Sequence, residues 1–131
     1  MKRFKKIIVA IPLIVLSLTP FLWFKDKGNV LINGIDTNFP LDPLIWFLRR
    51  LYVWTDFPNA GQDFSSSTAG IFFHLIQLIP YQLGFTIQHT QIISLIFWFA
   101  LIIFSSYALA RVLFSKSTLI QFLFVVLYSF N

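Results

Sequence analysis

The 131-residue chain contains no cysteine and no glutamate, and its only acids are five aspartates, at positions 26, 36, 42, 56 and 63. Without cysteine there is no disulfide, no thiolate nucleophile and no cysteine-based metal site. The motifs that announce common chemistries are missing too. There is no phosphate loop of the Walker type, no Gly-x-Ser-x-Gly elbow, no His-Glu-x-x-His and no acidic or basic residue inside the main apolar spans to mark an ion path, which weighs against an ATPase, a hydrolase and a proton-coupled transporter in this stretch. Charge is scarce as well, at 11% of residues, and none of the 47 residues from Phe64 to Ala110 is Asp, Glu, Lys or Arg. A water-soluble fold of this size needs that surface charged to stay dispersed. The chain shows no internal repeat and no low-complexity tract.

What is present is apolar surface, at 57% of residues, in runs long enough for a bilayer. The expected fold class is an all-α membrane protein, with transmembrane helices and a long extracytoplasmic first loop that carries juxtamembrane amphipathic helices. Of the ten basic residues behind the net charge of +5, four stand in "MKRFKK". The excess therefore sets membrane orientation, and no dispersed basic surface is left to grip nucleic acid. Residues 1–6 are expected in the cytoplasm, with 7–24 as the first crossing. The bulky "SLTPFLWF" suits an outer interface better than a signal-peptide cleavage site.

The outer loop is expected over 25–91 and holds every aspartate within its first part, residues 25–67. Inside it, "DPLIWFLRRLYVWTD" predicts an interfacial helix over 43–56, with Pro43 at the first position and Asp42 as cap. Steps of seven would align Asp42, Arg49 and Asp56, with Arg50 beside them. Residues 69–85 form a second apolar segment, slightly short for a crossing and containing Pro80. His74, Gln77 and Tyr81 give it a polar stripe, read here as a face toward the membrane interface. If it lies on the membrane and does not cross, the next span, 92–113, delivers Arg111 and Lys116 to the cytoplasm, as the positive-inside tendency prefers. The last apolar stretch, 117–131, is shorter than the roughly 20 residues of a spanning helix, so it is expected to be the start of a third span in a longer multi-pass protein of the cell membrane.

The stretches "GIDTNFPLDPLIWFLRRLYVWTDFPNAGQDFSSSTAG" and "YALARVLFSKSTLIQFLFVVLYSFN" resemble the amino-terminal region of the GT-C superfamily of integral-membrane glycosyltransferases. More narrowly, they look like large multispanning bacterial and archaeal proteins distantly related to arabinofuranosyltransferases. Those begin with a Gly-Asp-x-x-Phe-Pro-Leu type segment, from which this chain departs by placing Ile35 between Gly34 and Asp36. The resemblance implies a polyprenyl-phosphate-linked sugar donor used at the outer face of the membrane, and an early acidic residue that serves the reaction.

Asp36 occupies that acid's place, where a carboxylate would take the acceptor's proton or help hold a divalent metal. The competing reading makes it a turn residue, since "NGIDTN" has the composition of a turn. Arg49 and Arg50 are the candidate contacts to the donor phosphate, with anchoring to anionic membrane lipid as the plainer alternative. Asp42, grouped with them as a candidate for substrate binding, is better explained as a helix cap and a partner of Arg49. Asp63, Ser66 and Ser67 are candidate caps for the following helix. His74 and His89, 15 positions apart with no carboxylate between them, form no recognisable metal site. A non-enzymatic polytopic component, such as a lipid or polysaccharide flippase or an assembly subunit, is the alternative function.

Overall fold

A computed structural model describes residues 2–25, 31–33, 39–52, 54–55, 62–63, 68–115 and 117–130, and the backbone alone of 2–9, 55 and 62. It is built of helices: α1 (Lys2–Ser17), α2 (Thr19–Trp23), α3 (Pro43–Arg50), α4 (Ile71–Gln82), α5 (Ile87–Leu113) and α6 (Thr118–Phe130). The extended structure among the described residues is one minimal antiparallel pair, β1 (Trp54–Thr55) with β2 (Gln62–Asp63), Trp54 opposite Asp63. The chain forms two compact units, one of residues 1–28 and 95–131 and the other of 29–94.

The first apolar run is two helices rather than one, broken at Leu18. Pro20 has no N–H to give the carbonyl of Leu16 four residues back, so the helical ladder fails there. The hydroxyl of Thr19 donates to that carbonyl instead, at 2.6 Å, and the N–H of Leu18 lies 3.2 Å from both Ile14 O and Val15 O. Pro12, by contrast, sits inside α1 without ending it.

Helix α5 begins at Ile87, five residues before the expected start of the span at 92. Thr86 makes this possible, because its Oγ1 accepts from the N–H of His89 at 3.3 Å and its carbonyl accepts from Thr90 at 2.8 Å. At about 1.5 Å per residue the 27 residues of α5 are longer than a hydrocarbon core of about 30 Å. Among the described residues it is the one helix long and apolar enough to cross a membrane, and only 22% of its most apolar stretch is buried. Ser117 starts α6 in the same way as Thr86 starts α5, accepting from Ile120 N at 3.4 Å through its hydroxyl and from Gln121 N at 3.1 Å through its carbonyl.

The core of the first unit is Leu13, Ile103, Ala110 and Val125, with Leu16, Phe99, Tyr107, Phe114 and Phe124 packed around it. Trp23 meets Phe99 edge-on with ring centres 5.2 Å apart, and Phe124 stacks on Tyr128 one turn along α6 at 5.9 Å. Several buried polar side chains are satisfied by their own helices. Ser17 donates to Leu13 O at 2.8 Å, Ser94 to Thr90 O at 2.8 Å and Ser106 to Ile103 O at 3.0 Å.

Polar side chains share the buried positions with that apolar core, while large apolar ones lie outside. Buried positions include Ser17, His74, Gln77, Thr90, Gln91, Ser94, Ser106 and Gln121, whereas Phe72 (72%), Leu83 (73%), Val112 (79%) and Leu127 (71%) are largely exposed. Single exposed apolar residues are ordinary. Here they cover whole helix faces while polar side chains turn inward, which is the arrangement that a lipid solvent favours.

Candidate functional site

The candidate residues converge on α3 and α4, which pack against each other within the second unit. Helix α3 starts as the sequence indicates. Asp42 is its cap, with Oδ1 accepting from Ile45 N at 3.0 Å, and Pro43 follows at the first position. Arg49 and Arg50 close its last turn, where cations complement the helix dipole.

The helix stops at Arg50, so it does not extend to 56. The next residues, "LYVWT", are β-branched and aromatic and suit extended chain better than helix. Trp54 and Thr55 accordingly pair with β2. Arg49 closes α3, and Asp56, expected on the same face, lies outside the described residues. Asp42 and Arg49 stand at opposite ends of α3, about 10 Å apart along its axis, and the Asp42 carboxylate serves the helix start rather than Arg49.

Helix α4 has Gly70 at its cap position with no side-chain cap bond, and the carbonyl of Gly70 accepts from His74 N at 3.1 Å. Asp63 lies in β2 and does not cap it; Ser66 and Ser67 are outside the described residues. The helix ends on Gly84 at φ +88°. Gly84 N bonds Tyr81 O at 3.0 Å and Phe85 N bonds Pro80 O at 3.2 Å, a Schellman closure that needs a left-handed residue.

The polar stripe of α4 faces inward. His74 and Gln77 are buried, at 8% and 1% exposure, while Phe72, Phe73 and Ile79 on the same helix are exposed. The expected outward orientation toward the membrane interface is thus reversed. Two polar groups three residues apart bond each other, His74 Nδ1 lying 3.0 Å from Gln77 Oε1, which offsets part of the cost of burying them. With Gln77 Oε1 accepting, the proton of His74 sits on Nδ1. The Nε2 of Gln77 is buried and meets no acceptor.

Across the seam His74 stacks on Trp46, ring centres 6.1 Å apart and planes 29° apart. The guanidinium of Arg50 lies over Trp46 at 5.3 Å, within the range of a cation–π contact. Burial lowers the pKa of Arg50 but leaves it cationic at neutral pH. Burial, and then the charge of Arg50, lower the pKa of His74 against the opposing effect of its bond to Gln77, so the ring is neutral. Arg49, one residue earlier, is exposed.

The structure thus brings together Arg50, Trp46, His74 and Gln77, of which only Arg50 stood among the sequence candidates. The i, i+3 spacing of His74 and Gln77 was the available signal for the other helix. Asp36, the proposed acid, lies outside the described residues. The chain on either side of it is fastened: Asn33 Oδ1 accepts from Phe39 N at 3.1 Å, and the side-chain amide of Gln91 pairs with both backbone groups of Ile32, at 2.9 and 2.5 Å. Among the described residues no three His, Asp or Glu side chains come together as a metal site. His89 is engaged locally, its Nδ1 2.6 Å from Thr86 Oγ1. Comparison with protein-family models, with curated proteins and with solved structures gives no match to the chain.

Proposed function

We propose that the chain works in the cell membrane as the amino-terminal part of a multispanning glycosyltransferase of the GT-C type, using a polyprenyl-phosphate-linked sugar at the outer face. In this reading α1 with α2 makes the first crossing, α3 and α4 lie in the headgroup plane, and α5 returns to the cytoplasm, where the amino terminus and Arg111 also lie. Asp36 acts as the base or metal-holding acid, and Arg49 and Arg50 contact the donor phosphate. The observation that carries the phosphate part is the cationic, aromatic cluster of Arg50, Trp46 and His74 on a helix pair whose outward faces are apolar. A lipid-linked anion offers the complementary surface: one charged group at the end of a long apolar chain.

The test is transfer to acceptor from a polyprenyl-phosphate sugar by membranes containing the protein. Asp36→Asn keeps the size of the side chain and removes its charge, so the rate should fall by at least about a hundredfold with normal membrane levels. Full activity would return Asp36 to the role of a turn residue. The second reading, a non-enzymatic lipid platform such as a flippase or assembly subunit, draws on the composition of the cluster itself, which among the described residues holds donors and rings without a free acid. That reading requires no transfer by any variant and retained lipid binding.

A further inference from the structure

Helix α5 is longer than the bilayer it is read as crossing. Its 27 residues rise about 39 Å, so a core of about 30 Å would hold all of it only at a tilt of about 40°, the extreme for membrane helices. Its polar residues are also unevenly spread. Gln88, His89, Thr90, Gln91 and Ser94 crowd the first two turns, whereas the first large apolar side chain exposed on the helix is Phe97. The chain attached to those turns is irregular. Ile32, outside any helix or strand, is fastened to Gln91 through both of its backbone groups; it is 43% exposed, and Asn33 beside it is exposed too. The corner from Leu83 to Thr86 that leads into α5 is likewise exposed and non-helical. Irregular backbone open to its surroundings does not occur in hydrocarbon, because nothing there replaces the hydrogen bonds of water.

Further along the same helix the surface changes character. Phe97 and Trp98 meet edge-on at 5.4 Å, and Phe99 meets Trp23, the last residue of α2, at 5.2 Å. Trp23 and Phe97 keep their rings exposed. Rings of this kind gather where headgroups meet acyl chains.

We propose that the bilayer surface meets α5 between Gln91 and Trp98. Trp23, Phe97, Trp98 and Phe99 form an aromatic collar that docks in the boundary layer of a phospholipid leaflet, the outer one in the proposed topology. The first two turns of α5 stand clear of the hydrocarbon as a post, and Gln91 fastens residues 31–33 to it. From Leu95 to Leu113 the helix rises about 27 Å, which fills the core without an extreme tilt. The placement rests on the membrane setting of the proposed function and holds whether or not sugar is transferred.

Because the chain has no cysteine, a nitroxide can be attached at one exposed position at a time, in Ile32→Cys, His89→Cys, Phe97→Cys and Leu101→Cys. The full chain is reconstituted in vesicles of phosphatidylcholine and phosphatidylglycerol. Relaxation of each label is then read with oxygen, which concentrates among acyl chains, and with a nickel chelate, which stays in water. Nickel should dominate at 32 and 89 and oxygen at 101, with the balance reversing near 97. Oxygen dominating at 32 or 89 as well as at 101 would overturn the boundary and leave the membrane setting intact. Nickel dominating at all four positions would remove the membrane setting and the boundary with it. A label at 89 or 97 that neither reagent reaches would mean that protein covers that surface, and would overturn the post or the collar. Ile32→Cys keeps the test decisive should His89→Cys disturb the start of α5, since the bonds to Gln91 use only the backbone of residue 32. Adding Gln91→Leu to Ile32→Cys should narrow the spectrum of that label by releasing the segment, and an unchanged line shape would remove the fastening.

Discussion

Replacing Leu101 by lysine separates the membrane reading of α5 from a soluble one, because the two solvents give opposite answers at an exposed position. Leu101 is 44% exposed. It lies 14 residues from Ile87 and 12 from Leu113 in α5, or about 21 and 18 Å along the axis. With α5 centred in a core of about 30 Å, this position falls close to the bilayer midplane. A lysine at a helix centre costs about 2.5–3.5 kcal/mol on insertion scales, and a further few tenths are lost with the leucine. The sum, about 3 kcal/mol, is more than about a hundredfold in the insertion equilibrium. On a surface facing water the same change would stay within about 0.5 kcal/mol. The assay is insertion of the 27-residue helix in a reporter chain that becomes glycosylated according to whether the helix crosses, with extraction of the whole protein from membranes as a second measure. Ile103, 0% exposed, is the control, since Ile103→Lys is harmful in either solvent. Wild-type insertion of Leu101→Lys, or a chain that remains dispersed and folded without detergent, would refute the reasoning.

Three further outcomes follow from local geometry. In Gly84→Ala the new Cβ meets nothing within 4 Å, so the φ of +88° alone sets the cost, about 1 kcal/mol, read as a lower unfolding midpoint in detergent. Gln91→Leu removes both hydrogen bonds to Ile32, worth together about 1–3 kcal/mol; the amide of Ile32 should exchange with deuterium faster, and an unchanged rate would mean that the clamp contributes nothing. His74 has its pKa lowered by burial first and by Arg50 second, so the unfolded chain binds a proton more readily than the folded one. Stability should therefore be level above the unfolded value of about 6.5 and decline as pH falls from there toward the depressed folded value. His74→Gln should flatten that decline in a pH series of denaturation curves.

Local signals were readable in the sequence, and directional or distant ones were not. Asp42 and Pro43 marked the start of α3 because a cap and a first-turn proline act on residues within one turn. The end of α3 has a local sign as well, the β-branched and aromatic run after Arg50, whereas the seven-residue spacing of charges that points to a helix through 56 does not correspond to one. His74 and Gln77 were visible as a stripe, yet periodicity fixes only that a face exists and leaves open whether it turns to lipid, to water or to another helix. Trp46 disclosed its role only when α4 supplied the ring it stacks on. The pairing of Ile32 with Gln91 joins residues 59 apart, and a single glutamine near a helix start carries no sign of such a partner.

The hydroxyls of Ser17, Ser94 and Ser106 each donate to a carbonyl of their own helix, and this bears on how the protein is made. A nascent helix that leaves the ribosome with its polar side chains already satisfied presents no exposed hydrogen-bonding group to the lipid. Each such segment can be released sideways into the bilayer before its neighbours exist, and association can follow as a separate stage governed by shape. Helices joined through shared polar bonds would have to wait for one another in the translocation channel. If the proposed membrane reading holds, these three serines place no condition on the order in which helices enter the bilayer, whereas Gln91 of α5, which is bonded to Ile32, gains its partner from outside its own helix.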